Sequence, residues 1–158
     1  MAGARHDDPA ATAALDDFLC FSIYAAEHAF SRAYKPLLGE IGLTYPQYLV
    51  MTILWAEDEQ SVGQLGGKLS LESSTLTPLL KRLEADGLLS RHRDTQDERV
   101  VRVKLTQAGD KLRERAAKIP ACILRATGLS LEELGKLREQ ITQLTRQLED
   151  SARANDIG

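Results

Sequence analysis

The sequence predicts a mainly helical protein with one small β hairpin. Apolar residues recur at three- and four-residue spacing through most of the chain, which is the periodicity of amphipathic helices. In one short stretch, Val101, Val103 and Leu105 alternate instead with Arg102 and Lys104, the period-two pattern of a strand with one apolar face. Together these patterns predict a helical body that carries a single hairpin.

The first helix is predicted over residues 15–34. It is indicated by apolar side chains at positions 15, 18, 19, 23, 26, 30 and 33. The Lys35–Pro36 step is expected to interrupt this helix, because proline is tolerated where a new helical turn begins. Residues 37–41 would then form a short second helix that ends at Gly42.

Three capping boxes predict where later helices begin. In this motif a Ser or Thr accepts a hydrogen bond from the backbone three residues on, and a Gln or Glu there bonds back. The motif occurs at Thr44 with Gln47, at Ser61 with Gln64, and at Ser130 with Glu133. The first box opens a buried, almost wholly apolar helix to about Ala56, with Pro46 in its first turn, and the second opens a short helix through Leu69.

The remaining elements complete the predicted order. A helix runs from about Ser73 to Asp86 and stops at Gly87, and the hairpin follows over residues 88–105. Thr106 is expected to begin another helix, bent near Pro120. The last helix carries a narrow apolar stripe, which is typical of a helix that packs against a partner helix. The stripe consists of Leu131, Leu134, Leu137, Ile141, Leu144 and Leu148.

Bulk properties favour a folded protein that is not exported. The 158 residues suit one domain, and a hydrophobic content of 43% with 27% charged residues is ordinary for a globular protein. We expect a cytoplasmic location without a membrane partner, because no apolar run could cross a bilayer and residues 1–17 lack the apolar centre of a signal peptide. A structural disulfide framework is then not expected, so either both cysteines are buried small apolar residues or one of them reacts.

Positive charge is concentrated in about a quarter of the chain. The net charge is −3, but residues 68–104 contain eight Lys or Arg against six Asp or Glu. The same region has the order helix, tight turn, helix and basic hairpin, which is the order of a winged helix-turn-helix. The sequence therefore predicts a DNA-binding lobe; the alternative is that the two hairpins are merely structural.

The second helix of this motif is expected to contact double-stranded DNA. Its N-terminal hydroxyl groups suit base edges or phosphates, and the two basic side chains that follow suit phosphates. These candidates are Ser73, Ser74, Thr75, Thr77, Lys81 and Arg82. Basic side chains of the hairpin suit the DNA backbone or the minor groove. They are Arg91, Arg93, Arg99 and Arg102.

Residues 61–109 resemble the DNA-binding lobe of the MarR family, including its D-x-R wing signature at Asp97 and Arg99. In that family the aspartate braces the arginine, which reaches the minor groove. The resemblance covers nearly the whole chain and implies one domain over 1–158, with a winged helix-turn-helix over 44–105. It also implies a homodimeric repressor on a pseudo-palindromic operator, with dimerisation helices within 15–42 and 107–153.

Residues 18–51 further resemble the organic-hydroperoxide sensors of the OhrR group. Those sensors have a reactive cysteine in the first helix, hydrogen-bonded by two tyrosines, and here Cys20 is followed by Tyr34 and Tyr45. The chemistry needs this arrangement because the thiolate attacks the peroxide and hydroxyl donors stabilise the thiolate. The resemblance implies release of DNA on oxidation, with Cys122 as a resolving thiol that pairs between subunits.

Two other functions stay open on the residues alone. A MarR-type repressor could instead be released by a small phenolic or lipophilic ligand, with both cysteines incidental. A thiol peroxidase is the enzymatic alternative, but Cys20 has no acid or base partner at readable spacing and the DNA-reading lobe would be unexplained. We therefore expect no catalysis and no cofactor. We also expect no metal, because His28 and His92 lack partners at metal-ligand spacing.

Overall fold

A computed structural model describes residues 14–155, so the segment 1–13, part of the stretch inspected for a signal peptide, lies outside it. The elements are a 3-10 turn Leu15–Asp17, α1 Leu19–Gly39, α2 Tyr45–Ala56, β1 Gln60–Ser61, α3 Val62–Leu69, α4 Ser73–Ala85, β2 Leu89–Arg93, β3 Val101–Leu105, α5 Gln107–Ala116, α6 Ile119–Thr127 and α7 Leu131–Asn155. The predicted fold class, mainly α with a small β component, is confirmed. No helix among residues 14–155 is both long enough and apolar enough to span a bilayer. The chain divides after Ala116 into two compact units.

Helix α1 continues through Pro36, so the expected interruption and the separate helix over 37–41 are wrong. Proline lacks one backbone donor, and the rest of the last turn still packs, with Leu38 only 2% exposed. Burial of that leucine therefore outweighs the single lost hydrogen bond. The chain leaves the helix through Gly42, whose φ of 71° lies in the left-handed region that glycine adopts without strain.

Helix α2 forms the centre of the first unit. Its predicted capping box is present, since the Thr44 amide donates to Gln47 Oε1 at 2.9 Å and the Gln47 amide donates to Thr44 Oγ1. Val50, Met51 and Leu54 are at most 1% exposed, so the apolar sequence of this helix is core as predicted. Fully burying a side chain of this size contributes about 1.5 to 3 kcal/mol, and α2 is thus the element around which the lobe packs.

Helices α3 and α4 are joined by a tight turn. The Ser61–Gln64 capping box opens α3, and Ser70, at a φ of 52°, closes it in the left-handed conformation. The turn is close: a Cβ on Gly66 would lie 2.8 Å from the Leu71 carbonyl oxygen. Leu65, Leu76, Leu80 and Leu83 are fully buried, which leaves the opposite face of α4 free. This is the predicted helix-turn-helix.

The hairpin is present and carries a third strand. In the antiparallel sheet the strand order is β1-β3-β2, and Leu89 lies opposite Leu105. Leu89 and Val103 are buried, so the apolar face is the predicted one. Strand β1 adds Gln60 opposite Val103, a pairing that the sequence analysis did not foresee. We call β2, β3 and the turn over 94–100 the wing, and α4 the recognition helix.

Helix α5 is seated directly against the start of the wing. A Cβ on Gly109 would lie 1.9 Å from the Leu88 carbonyl oxygen, so only glycine fits here. The Trp55 indole N–H donates to the Gly109 carbonyl at 2.9 Å, which ties α2 to α5. Thr106 donates through its hydroxyl to the Gly87 carbonyl at 2.6 Å and accepts from the Gly109 amide at 3.0 Å. The junction between α5 and the lobe is therefore hydrogen-bonded on both sides.

The second unit contains α6 and α7. The helix that Thr106 begins does not bend near Pro120: it ends at Ala116, and after a two-residue turn Pro120 lies in the first turn of α6, where its lack of an N–H costs little. The Ser130–Glu133 capping box opens α7, with the Ser130 amide donating to Glu133 at 2.8 Å. In the apolar stripe of α7, Leu131 is 74% exposed and Leu148 is 61% exposed, so the stripe is available to a partner.

Candidate nucleic-acid interface and thiol site

The predicted base-reading side chains lie on the open face of the recognition helix. Ser73, Ser74 and Thr75 are exposed in its first turn, and Thr77 is half-buried. Lys81 and Arg82 continue this face, and Arg82 makes only a loose ion pair with Asp86 at 3.4 Å. Because Leu76, Leu80 and Leu83 form the buried face, these hydroxyl and basic groups lie on the part of α4 that the core does not cover.

The wing presents one strongly exposed guanidinium. Arg99 donates from Nε to Asp97 Oδ1 at 3.1 Å and from Nη2 to Oδ2 at 3.2 Å, while its side chain stays 91% exposed. The hydrogen bond from this guanidinium lowers the pKa of Asp97, so the carboxylate stays charged. Asp97 thus restrains the direction of Arg99 without covering it, which is the geometry that the D-x-R signature implies.

Asp94 organises the turn of the wing. One of its oxygens accepts from the Gln96 amide at 2.8 Å and from the Asp97 amide at 3.2 Å, and the other accepts from Arg102 Nε. These bonds, that of Arg102 foremost, lower the pKa of Asp94 to about 2. Arg102 also donates to the Glu59 carbonyl at 3.0 Å. Its guanidinium therefore holds the base of the wing.

Two other predicted wing arginines have partners inside the lobe. Arg91 donates to the Glu84 carboxylate of the recognition helix, with the shortest contact at 2.8 Å. Arg93 is exposed and donates to the Glu98 carbonyl at 2.9 Å. The expected basic finger is thus divided between exposed Arg93 and Arg99 and the anchored Arg91 and Arg102. Sequence analysis missed Glu84 and Asp94, because counting charges does not reveal which charges pair.

Cys20 is exposed in the first turn of α1, whereas its predicted tyrosines lie together elsewhere, Tyr34 in the C-terminal part of α1 and Tyr45 at the start of α2. The ring of Tyr34 lies 4.8 Å from that of Tyr45 and 6.0 Å from that of Tyr48, between centroids. We call these three residues the tyrosine cluster. Burial, and then the neighbouring phenols, raise the pKa of Tyr34 to about 12 and also raise that of Tyr45, so both hydroxyls remain hydrogen-bond donors at neutral pH.

The cysteine and the tyrosine cluster of one chain are far apart. Fourteen residues of continuous helix separate Cys20 from Tyr34, which at 1.5 Å per residue is about 21 Å. Cys122 is half-buried in α6, where Arg125 Nη2 donates to its sulfur at 3.3 Å. Within residues 14–155, no three His, Cys, Asp or Glu side chains are grouped to hold a metal ion.

An open recognition helix beside a braced basic wing defines a winged-helix DNA-binding protein. A family model for the transcriptional regulator SarA/Rot matches residues 32–116. The chain is 42% identical over 134 residues to the organic hydroperoxide resistance transcriptional regulator of Bacillus subtilis (strain 168), covering 85% of this chain and 91% of that protein. It is 43% identical over 157 residues to the HTH-type transcriptional regulator TtmR of Methylorubrum extorquens (strain PA1), covering 99% and 79%.

A solved structure also shows similarity to a DNA-binding regulator. AbfR of Staphylococcus epidermidis, in its reduced form bound to DNA, is 36% identical with a TM-score of 0.72, over 85% of this chain and 94% of that one. Its disulfide form has a TM-score of 0.58 at 34% identity, over 83% and 92%. The chain belongs to the MarR family of winged-helix transcriptional regulators, and within it to the OhrR-like members. It is a DNA-binding transcriptional regulator, and the relatives named here are regulators rather than enzymes.

Proposed function

We propose that this protein is a homodimeric repressor that releases its operator when an organic hydroperoxide oxidises Cys20, with Cys122 as the resolving thiol. The exposed position of Cys20 on an uncovered apolar stretch of α1 carries the proposal. Its neighbours Phe18, Leu19 and Tyr24 are 47%, 61% and 59% exposed in a single chain. An apolar surface of this kind attracts an apolar peroxide and also needs a partner to cover it.

A second copy of the chain supplies that cover. The exposed apolar residues of α1, and separately the stripe of α7, have the spacing of helices that pair. Residues 15–42 and 107–153 are then the dimerisation segments of a single MarR-type domain, and residues 44–105 are its DNA-binding lobe. A two-fold dimer presents two recognition helices, so its operator should be pseudo-palindromic. Because it must reach DNA, the protein should be located in the cytoplasm.

The dimer also completes the sensing site. Because Tyr34 lies about 21 Å from the Cys20 of its own chain and Tyr45 packs against Tyr34, these two hydroxyls can reach a Cys20 sulfur only in the other subunit. Two α1 helices that pack antiparallel bring the cysteine end of one to the tyrosine end of the other. Tyr34 and Tyr45, whose rings are in contact, then donate jointly to the Cys20 thiolate.

The oxidation proceeds in two balanced steps. The Cys20 thiolate attacks the distal peroxide oxygen, an S–O bond forms, the O–O bond breaks, and the alkoxide leaves as the alcohol after taking a proton. The Cys122 thiolate then attacks the sulfenic sulfur, an S–S bond forms, the S–O bond breaks, and the hydroxide leaves as water after taking a proton. The existence of a disulfide form of AbfR supports the second step. Loss of the tyrosine hydrogen bonds to Cys20 would shift the paired α1 helices, and with them the distance between the DNA-binding lobes of the two subunits.

The DNA contacts follow from the exposed groups of the lobe. The major groove receives the hydroxyl side chains of the recognition helix, which are Ser73, Ser74, Thr75 and Thr77. Phosphates are contacted by Lys81 and Arg82. The minor groove receives Arg99, which Asp97 braces, with Arg93 beside it. Arg91 is better assigned to holding the wing than to DNA, because its guanidinium is committed to Glu84.

A gel-shift titration tests the proposal. Reduced protein should retard a duplex from its own promoter region, cumene hydroperoxide should release it, and dithiothreitol should restore binding. Cys20→Ser should stay bound under peroxide, whereas Cys122→Ser should be oxidised but lose easy reversal. Release of Cys20→Ser by peroxide as readily as the wild type would refute the sensing role. Release by a phenolic ligand with both cysteines replaced would favour the ligand-gated alternative.

A further inference from the structure

The recognition helix and the wing are joined by an ion pair in which both carboxylate oxygens of Glu84 accept hydrogen bonds from Arg91. Arg91 on β2 donates from Nε and Nη2 to Glu84 Oε2 at 3.1 and 2.8 Å. The backbone amide of Arg91 donates to the other oxygen, Glu84 Oε1, at 3.0 Å. The Arg91 side chain is 24% exposed, against 73% for Arg82 in its pair with Asp86, so the Arg91–Glu84 pair is the less solvated of the two. The contact therefore restrains the strand as well as its side chain.

The position of this pair gives it mechanical significance. Glu84 lies in the last turn of α4, and Arg91 lies at the middle of β2, opposite Val103. Strand β2 continues from there to Arg93 and into the turn that carries Asp97 and Arg99. The angle between recognition helix and wing consequently depends on this bond together with the buried side chain of Leu89.

We propose that Glu84 and Arg91 are a positioning pair, which sets the wing against the recognition helix so that both reach one DNA duplex. This rests on the proposed wing contact of Arg99. The carboxylate does not itself face DNA favourably, since an acidic group near phosphates opposes binding. Its contribution comes only through Arg91, whose planar guanidinium matches the carboxylate geometry better than an ammonium can.

The sign of one charge change tests the proposal. Binding of the full-length protein to a duplex from its own promoter region is measured by fluorescence anisotropy at two salt concentrations. Glu84→Gln removes a negative charge, yet it should bind about five- to fiftyfold more weakly, the cost of a lost groove contact. Asp86→Asn makes the same charge change at the residue that caps the end of this helix, and it should bind as tightly as the wild type or more tightly. Equal binding by these two variants overturns the proposal.

A second variant keeps the proposal testable if Glu84→Gln does not fold, and it distinguishes a positioning role of Arg91 from a direct contact with DNA. Arg91→Lys keeps the positive charge but loses the planar fork, so it should weaken binding as Glu84→Gln does. A phosphate contact by Arg91 would instead tolerate lysine, and wild-type affinity of Arg91→Lys would refute positioning. Thermal unfolding of each variant confirms that the lobe is folded at the assay temperature.

A double-mutant cycle with Arg99 supplies a readout that a merely structural pair would not change. Arg99→Ala should cost about five- to a hundredfold in the wild type, but only about twofold in Glu84→Gln, whose wing is already displaced. A full loss in both backgrounds overturns positioning and leaves the proposed wing contact standing. If Arg99→Ala has no effect in the wild type, the wing contact itself fails, and the comparison of Glu84→Gln with Asp86→Asn alone decides the positioning role.

Discussion

Replacing both tyrosine hydroxyls tests how the thiol is activated. The variant is Tyr34→Phe with Tyr45→Phe in a Cys122→Ser background, so that Cys20 is the single remaining thiol. The rings, which pack 4.8 Å apart, stay in place, and reduced protein should keep its fold and its DNA affinity. Only the two hydroxyls that we propose as donors to the Cys20 thiolate are lost.

The expected effect is large. A hydrogen bond to a charged group contributes about 1.5 to 3 kcal/mol, and each 1.4 kcal/mol is a factor of about ten, so one lost donor should slow Cys20 alkylation near neutral pH about ten- to a hundredfold. The pKa of Tyr34 is raised to about 12, so its hydroxyl stays protonated and donates throughout the assay range. The double variant should be slower than either single one, and it should approach wild-type rates only at alkaline pH.

Mixed dimers decide between the two possible sources of the hydroxyls. A Cys20→Ser subunit with intact tyrosines is combined with a subunit that has Cys20 but both phenylalanines. Because a chain's own Tyr34 is about 21 Å away, the single Cys20 of this mixed dimer should react at the wild-type rate. A slow mixed dimer would place the donors in the same subunit, and superimposable pH profiles of the double variant and its parent would reduce the tyrosines to packing residues.

Three further predictions concern stability and assembly. Gly109→Ala should lower the free energy of unfolding by about 3 kcal/mol or more, because its Cβ would lie 1.9 Å from the Leu88 carbonyl, whereas Gly135→Ala, with nothing within 4 Å, should not; denaturant titration measures both, and similar losses would contradict the close approach. Leu137→Glu with Ile141→Glu should yield monomers in analytical ultracentrifugation, because charges cannot be buried between paired stripes; an intact dimer would exclude α7 from the interface. Asp94 has a pKa lowered from 3.8 to about 2, so it contributes stability above pH 3.8 that is lost as the pH falls towards 2; urea unfolding should show a smaller loss between pH 5 and pH 3 for Asp94→Asn than for wild type, and parallel losses would count against the turn.

Elements marked by local signals could be predicted from the sequence. All three capping boxes open helices, since both partners of each box lie within one turn and the hydrogen bonds form whatever surrounds them. The hairpin was also predictable, because the alternation of Val101, Val103 and Leu105 reports a buried face directly. A structural element can therefore be predicted from the sequence wherever the residues of one short segment determine it.

Features that depend on distant residues escaped prediction. Strand β1 has two residues and exists only because Val103, more than forty positions away, pairs with Gln60. The helix persists through Pro36 because the following turn buries Leu38, a tertiary effect that overrides proline's local preference. Among the basic residues of the wing, Arg91 and Arg102 resemble Arg99 in sequence, and only the folded lobe reveals that Glu84 and Asp94 hold them.

The single tryptophan of the chain, Trp55, lies at the contact between α2 and α5. Trp55 bonds across to α5 at Gly109, and its ring lies 6.3 Å from that of Tyr48, which in turn belongs to the tyrosine cluster. Excitation energy absorbed by the tyrosine cluster can therefore be transferred to Trp55. Emission from Trp55 is sensitive to its hydrogen bond with Gly109, which joins α2 to α5. The protein thus carries an intrinsic fluorophore between α2 and α5, and its emission can be recorded without any attached dye.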